Sequence, residues 1–231
     1  MRKNSNWTKF LLEFVSVFIA VVFAFALNNW NDNRKDNNAE KKILSEISNG
    51  LKKDLNDIKL NIGGHKKGVL ACEYWRKIVN SNDFSQDSIQ VYYLSLTRDF
   101  VTIQNKAGYE TLKSKGLELI KNDLLRLEII SLYEYDFATL QKLEETYGEM
   151  QFHTNYYKEL NSIISPHFNF DPLGNIEKLN VPLNLDKAGK NTFLTYLWKI
   201  EVNRNFILYY YSEIEEKTQK LIINIERELK Q

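Results

Sequence analysis

Residues 10–27 read FLLEFVSVFIAVVFAFAL, eighteen positions in which Glu13 is the one ionisable side chain. As a helix the stretch covers roughly 27 Å, close to the thickness of a bilayer's hydrocarbon core. Trp7 and Trp30 stand just outside its ends, where amphipathic indole rings settle at headgroup level. The pattern predicts a transmembrane helix over residues 10–30, anchored in the lipid bilayer and preceded by a short tail at residues 1–9. Everything else must fold beside it.

Two other readings compete. Arg2, Lys3 and Lys9 form a basic n-region and Ala24-Phe25-Ala26 fits the small-x-small cleavage pattern of a signal peptide. Glu13 inside the would-be h-region and the length of the run argue against cleavage. A buried helix of a soluble core is the second, and the length and the Trp pair argue against it. Orientation rests on Arg2, Lys3 and Lys9 before the span against Arg34, Lys35, Lys41 and Lys42 after it, a nearly even balance. The short tail with its charges close to the span favours an N-terminus in the cytoplasm. The expected place is then a bacterial inner membrane, single pass, with the domain of residues 31–231 in the periplasm. Such a tail leaves no cytoplasmic output domain.

Beyond the span about two hundred residues remain, the size of one domain with a sizeable core. Lys plus Arg number 31 and Asp plus Glu 30, so no basic footprint for nucleic acid exists and no nucleic-acid partner is expected. One cysteine, Cys72, excludes a disulfide-stapled fold. The 13 Tyr and 13 Phe suit helix packing in which one ring edge stays wet.

Leu44, Ile47, Leu51, Leu55, Ile58 and Ile62 recur every three or four residues, one helical face with the look of a coiled-coil seam. Gly63-Gly64 predicts a kink, after which Val69, Trp75 and Ile78 continue the helix to a polar break at Ser81-Asn82-Asp83. Asp87 is placed to cap a short helix through Val91 and Leu94. A helix from about Asn105 through Tyr109 and Leu112 ends at Gly116, expected in the left-handed region. Asn122-Asp123 then opens a helix through Leu125, Ile129, Phe137 and Leu140 that runs on to Ile164. Pro166, Pro172 and Pro182 define an extended loop at 165–187, and Phe193 to Ile225 keep helical spacing for a last helix of roughly forty residues. With no period-two run, the fold class is all-α: an N-terminal transmembrane helix followed by an elongated antiparallel bundle of long helices.

Two stretches carry a likeness. Glu13, followed fifteen residues later by Asn28-Asn29-Trp30-Asn31, is one; the other is Gly108-Tyr109-Glu110-Thr111-Leu112-Lys113-Ser114-Lys115-Gly116, continuing through Leu119-Ile120 and Asn122-Asp123 to Arg126 and Leu132-Tyr133. Together they resemble the uncharacterised bacterial single-pass membrane family DUF6090, of Bacteroidota type. The resemblance implies a topology and no activity. Leu12 and Ala20 stand where that pattern has glycines, and Ala26 where it has Gln.

Chemistry is sparse. His65, His153 and His167 lack partners at ligand spacing, so neither a metal nor another cofactor is expected, and they read as solvated or core histidines. Gly63-Gly64 and Gly68 lack the Lys-Ser/Thr of a phosphate loop, and Cys72 lacks a recognisable His partner. Glu144-Glu145 and Glu213, Glu215 and Glu216 read as solvated helix faces. Two candidates remain. Tyr109, Glu110, Lys113, Lys115, Gly116, Asp123 and Arg126 gather polar groups at a helix-turn-helix corner, which is either structural or a docking site for a partner or small ligand. Ser16, Ala20, Ala24 and Asn28, with Glu13 on the same stripe, form a small-residue row through which the span would meet an identical chain or another membrane protein. The expectation is a membrane-anchored, non-enzymatic interaction or scaffold protein. Its rivals are a single-span sensor or ligand-binding module working through a partner, and an enzyme that no motif supports.

Overall fold

The structure is a computed structural model describing residues 5–230; Arg2 and Lys3 of the basic tail lie outside the described residues. Helix α1, Ser5–Val79, is one unbroken helix of 75 residues, about 112 Å long at the usual rise. Its two halves live in opposite surroundings. Every large apolar side chain from Trp7 to Trp30 is exposed, and the most apolar eighteen-residue window has a mean hydropathy of 2.7 with none of it buried. This helix is long and apolar enough to cross a membrane, and it lies near the N-terminus as either an anchor or a signal sequence would. From Glu40 onward the same helix enters the core with Ile43, Leu44, Ile47, Leu51, Ile58, Trp75 and Ile78.

The glycine pair does not kink it. Gly63 faces open space, whereas a Cβ on Gly64 would come within 2.3 Å of the Phe100 ring and one on Gly68 within 2.2 Å of Arg204. Gly64 and Gly68, one turn apart, form a notch that receives side chains from elsewhere, which is the reason glycine is needed there.

The second long element is α7, Lys187–Glu228, 42 residues, close to the expected forty. Asp186 caps it, accepting from the Gly189 amide at 2.7 Å. It runs antiparallel to α1: Lys52 pairs with Glu226 at 2.7 Å near one end and Arg76 with Glu201 near the other. The seam from Leu44 to Ile62, read as a coiled-coil surface, is occupied within the chain by α7 and by the shorter helix α3 (Ala107–Lys115), while α2 (Ile89–Leu96) packs further along α1, where the Trp75 indole donates to the Tyr92 carbonyl at 3.3 Å. Asp87 lies inside a short turn, Gln86–Ser88, instead of capping α2.

The single helix expected from Asn122 to Ile164 is divided. It comprises α4 (Asp123–Ser131), a wider π turn (Leu132–Asp136), α5 (Phe137–Glu145), a break, a second π turn (His153–Tyr157) and α6 (Lys158–Ile164). The break has a cause: Asp99 accepts from the Phe152 amide at 2.8 Å and the His153 amide at 3.3 Å, so its carboxylate starts a new helix there.

The all-α expectation needs one correction. Within the proline-containing loop, β1 (Phe168–Phe170) and β2 (Ile176–Leu179) pair antiparallel. Asp171 makes the turn, accepting from the amides of Leu173 at 2.9 Å and Asn175 at 2.8 Å, and Gly174 supplies a φ of 85°. Strands this short give no readable alternation. The whole is a mostly helical bundle built on α1 and α7, with a small hairpin beside α2.

Candidate functional site

The corner at 109–126 resolves into two polar clusters. Tyr109 is buried and stacks on Tyr133 with ring centres 4.5 Å apart. Its hydroxyl donates to Glu134 at 2.9 Å, and the Lys113 ammonium reaches the same carboxylate at 3.1 Å and Glu110 at 3.7 Å. Gly116 ends α3 at φ 101° and ψ 127°. The positive φ is as expected, but ψ lies outside the left-handed helical well. Beyond it Arg126 donates to the Ile120 carbonyl at 2.9 Å and pairs with Glu118 at 3.0 Å and Asp123 at 2.8 Å. Asn122 caps α4 through the Leu125 amide at 3.2 Å and donates to Glu228 at 2.8 Å. The Lys121 amide donates to Glu40 at 2.9 Å. The corner is thus a collar around the point where α1 enters the bundle, with its charges paired to one another; Lys115 alone of the candidates is exposed with no hydrogen bond or ion pair among the described residues.

The centre of the bundle holds what the sequence did not advertise. Arg204, on α7, is fully buried. One guanidinium nitrogen donates to His65 Nδ1 at 3.1 Å, and another to the carbonyls of Ser95, Leu96 and Arg98 at 3.2, 3.1 and 3.0 Å. The Ser95 and Leu96 carbonyls are orphan acceptors at the C-terminus of α2, and Arg98 lies just beyond it, so the cation also meets the negative end of that helix's dipole. The group lies 4.2 Å over the Phe152 ring. Because arginine can only donate, His65 accepts at Nδ1 and carries its proton on Nε2. Burial, then the Arg204 charge, pushes His65 down to about 3, so it stays neutral. Arg204, lowered by burial to about 10, stays charged at neutral pH.

Next to it residues 97–106 cross the bundle as an extended strap with carboxylates in place of a neighbouring strand. The amide of Thr102 donates to Glu144 at 2.9 Å, that of Ile103 to Asp57 at 2.9 Å and that of Asn105 to Asp54 at 2.8 Å. The Thr102 hydroxyl at 2.9 Å and the Tyr211 hydroxyl also engage Glu144. Burial pushes Asp54, Asp99 and Glu144 above the ordinary carboxylate range, against the hydrogen bonds that favour the anion. Glu144, expected on a solvated face, is buried; Glu145 is exposed.

No family model, curated protein or solved structure matches this chain. Function must be argued from its own geometry. Cys72 is buried and its thiol is pushed up by burial to about 12, so it is not an activated nucleophile. His65 is held by Arg204 and cannot serve as a base near neutral pH. Among the described residues no three His, Cys, Asp or Glu side chains converge on a common point. The arrangement can clamp helices together.

On the apolar half of α1, Ser16, Ala20, Ala24 and Asn28 are exposed with Glu13, and the Ser16 hydroxyl donates to the Glu13 carbonyl at 2.8 Å. At about 100° per residue along an unbroken helix, this row lies on the side of α1 opposite Ile43, Leu44 and Ile47, which face the core where α1 enters the bundle. Asn28 also donates to Asp32 at 3.1 Å.

Proposed function

We propose that the chain is a membrane-anchored, non-enzymatic interaction protein that holds a rigid helical bundle at a fixed attitude to a bilayer. One observation carries the reading: α1 is unbroken from its exposed apolar half into the core, with no glycine or proline between residues 28 and 49. A helix without a hinge transmits orientation, so a partner of the bundle is presented at a set height and angle. Trp7 and Trp30 mark the headgroup levels, the N-terminus lies in the cytoplasm and the bundle in the periplasm. The row of Glu13, Ser16, Ala20 and Ala24 faces lipid or another span, away from the chain's own bundle. The corner residues Tyr109 to Arg126 brace the base. Purification from native membranes in mild detergent tests the role: stoichiometric protein partners support it, and a chain that is monodisperse and alone contradicts it. Reporters fused to the C-terminus test orientation, a cytoplasmic signal contradicting it.

A ligand-binding module has one observation in its favour. A groove of about 530 Å³ opens beside the end of α1, lined by Tyr74, Phe84 and Tyr92 with Glu73 and Lys77. A small molecule co-purifying with the chain and lost on Tyr92→Ala would favour that reading.

A further inference from the structure

Two exposed faces of the bundle are left without a partner, and their chemistry is complementary. On α7, Trp198, Val202, Phe206 and Tyr209 are spaced four, four and three residues apart and point away from the core, Trp198 being 57% and Tyr209 63% exposed. Glu213 and Glu216 continue the line. On the outer side of α1, Lys53, Asn56, Leu60, Gly63, Lys67 and Leu70 alternate by three and four, with Leu60 73% and Leu70 48% exposed and nothing over Gly63. Among the described residues neither Glu213 nor Glu216, nor Lys53 nor Lys67, forms an ion pair, while other charges of these helices do.

The levels also agree. Lys59 lies 4.0 Å from Glu215, and Arg76 pairs with Glu201. Leu60 is therefore roughly level with Glu213, Lys67 with Phe206 and Tyr209, and Leu70 with Val202 and Phe206, each to within about a turn. Two copies anchored in one membrane stand at equal height with their helices aligned.

We infer that the occupant of the α7 face is the outer α1 face of a second copy of this chain, side by side in the membrane. This rests on the anchored reading above. Val202 and Phe206 meet Leu70, Tyr209 fills the space over Gly63 with Lys67 across its ring, and Glu213 and Glu216 face the lysines that bracket Leu60. Like-on-like pairing is disfavoured. α7 against α7 at equal height opposes glutamates to glutamates, and α1 against α1 opposes lysines to lysines. The interface is therefore head-to-tail and builds a ring or row in the membrane plane. A single stripe of about five turns is small for an autonomous interface, and anchoring supplies the effective concentration that makes it sufficient.

The test uses the full chain in native membranes. Leu70→Cys and Val202→Cys are made on separately tagged chains, with the parent, whose Cys72 is buried, as control, and a short bis-maleimide is added. Co-expression is expected to give a mixed dimer that neither variant gives alone, and Leu70→Cys/Val202→Cys in one chain a ladder of higher species. Glu213→Lys with Glu216→Lys should lower the mixed product several-fold, and adding Lys53→Glu with Lys67→Glu to the other chain should restore it. No mixed product, or equal products from the single variants, overturns the pairing. Retention after an alkaline wash is read on the same samples. A chain washed out overturns the anchor and this inference with it; a chain retained without mixed product overturns the pairing alone.

Discussion

The two halves of α1 share a backbone and differ in every other respect. Residues 10–27 expose their Phe, Val, Leu and Ile side chains and bring no polar partner to them; residues 40–79 bury most of theirs, Leu60 and Leu70 excepted, and bury polar groups beside them, Asp54 and His65 among those. A water-soluble protein does not leave a helix bare over an apolar run of that length. The inner half shows how this chain treats apolar surface in water, by burying most of it and holding polar groups beside it through Asp54 Oδ1 and His65 Nδ1. The outer half breaks that rule throughout, as a membrane span or a signal sequence near the N-terminus would, and this supports the proposal that its solvent is lipid. Substitutions in the two halves should therefore behave oppositely, and that contrast can be measured.

The largest effect belongs to Arg204. Arg204→Met removes the donor to three carbonyls and to His65 while the carbonyls stay buried, and should cost about 3–5 kcal/mol, read as a fall in the urea midpoint of the detergent-solubilised chain. An unchanged midpoint would mean that the inner half does not depend on its buried polar groups. Glu144→Ala leaves the Thr102 amide and the Thr102 and Tyr211 hydroxyls without their acceptor and should cost about 3 kcal/mol in the same measurement. Gly116→Ala, where a Cβ would touch nothing, should cost about 1–2 kcal/mol through the positive φ alone. A midpoint that does not move would place the strain elsewhere.

These sites differ in how readable they were. The apolar run, the final long helix, the end of α3 at Gly116 and the Asn122 cap were legible because each depends on neighbours in sequence: periodicity, a glycine, a side-chain oxygen three residues before its amide. Arg204, Glu144 and Asp99 were not, since an arginine on a helix reads as surface until α2, the strap and α1 close around it from more than a hundred residues away. One signal was present: Gly64 and Gly68, four apart on a helix, mark a place where something packs close, and reading Gly63-Gly64 as a kink missed it. The break before α6 was hidden for the same reason, because the carboxylate that starts the new helix is Asp99.

A smaller effect is the pH dependence. The buried carboxyls of Asp54, Asp99 and Glu144 bind protons more readily folded than unfolded, so their contribution is fully present below the unfolded value near about 4 and is lost as pH rises through the folded values. The bundle should gain stability on mild acidification from neutral pH, and Glu144→Gln should flatten that slope; a slope of the opposite sign contradicts the burial argument. The smallest effect is expected in the outer half, where Val17→Ala should shift the urea midpoint by less than about 0.5 kcal/mol, since Val17 touches nothing in the bundle.

The central claim, that one unbroken helix both anchors the chain and forms its core, is tested most directly by the intact mass of the protein recovered from alkali-washed native membranes. The account predicts a chain that resists extraction and retains residues 10–27. A chain beginning at Leu27, or one found in the alkaline supernatant, would contradict it.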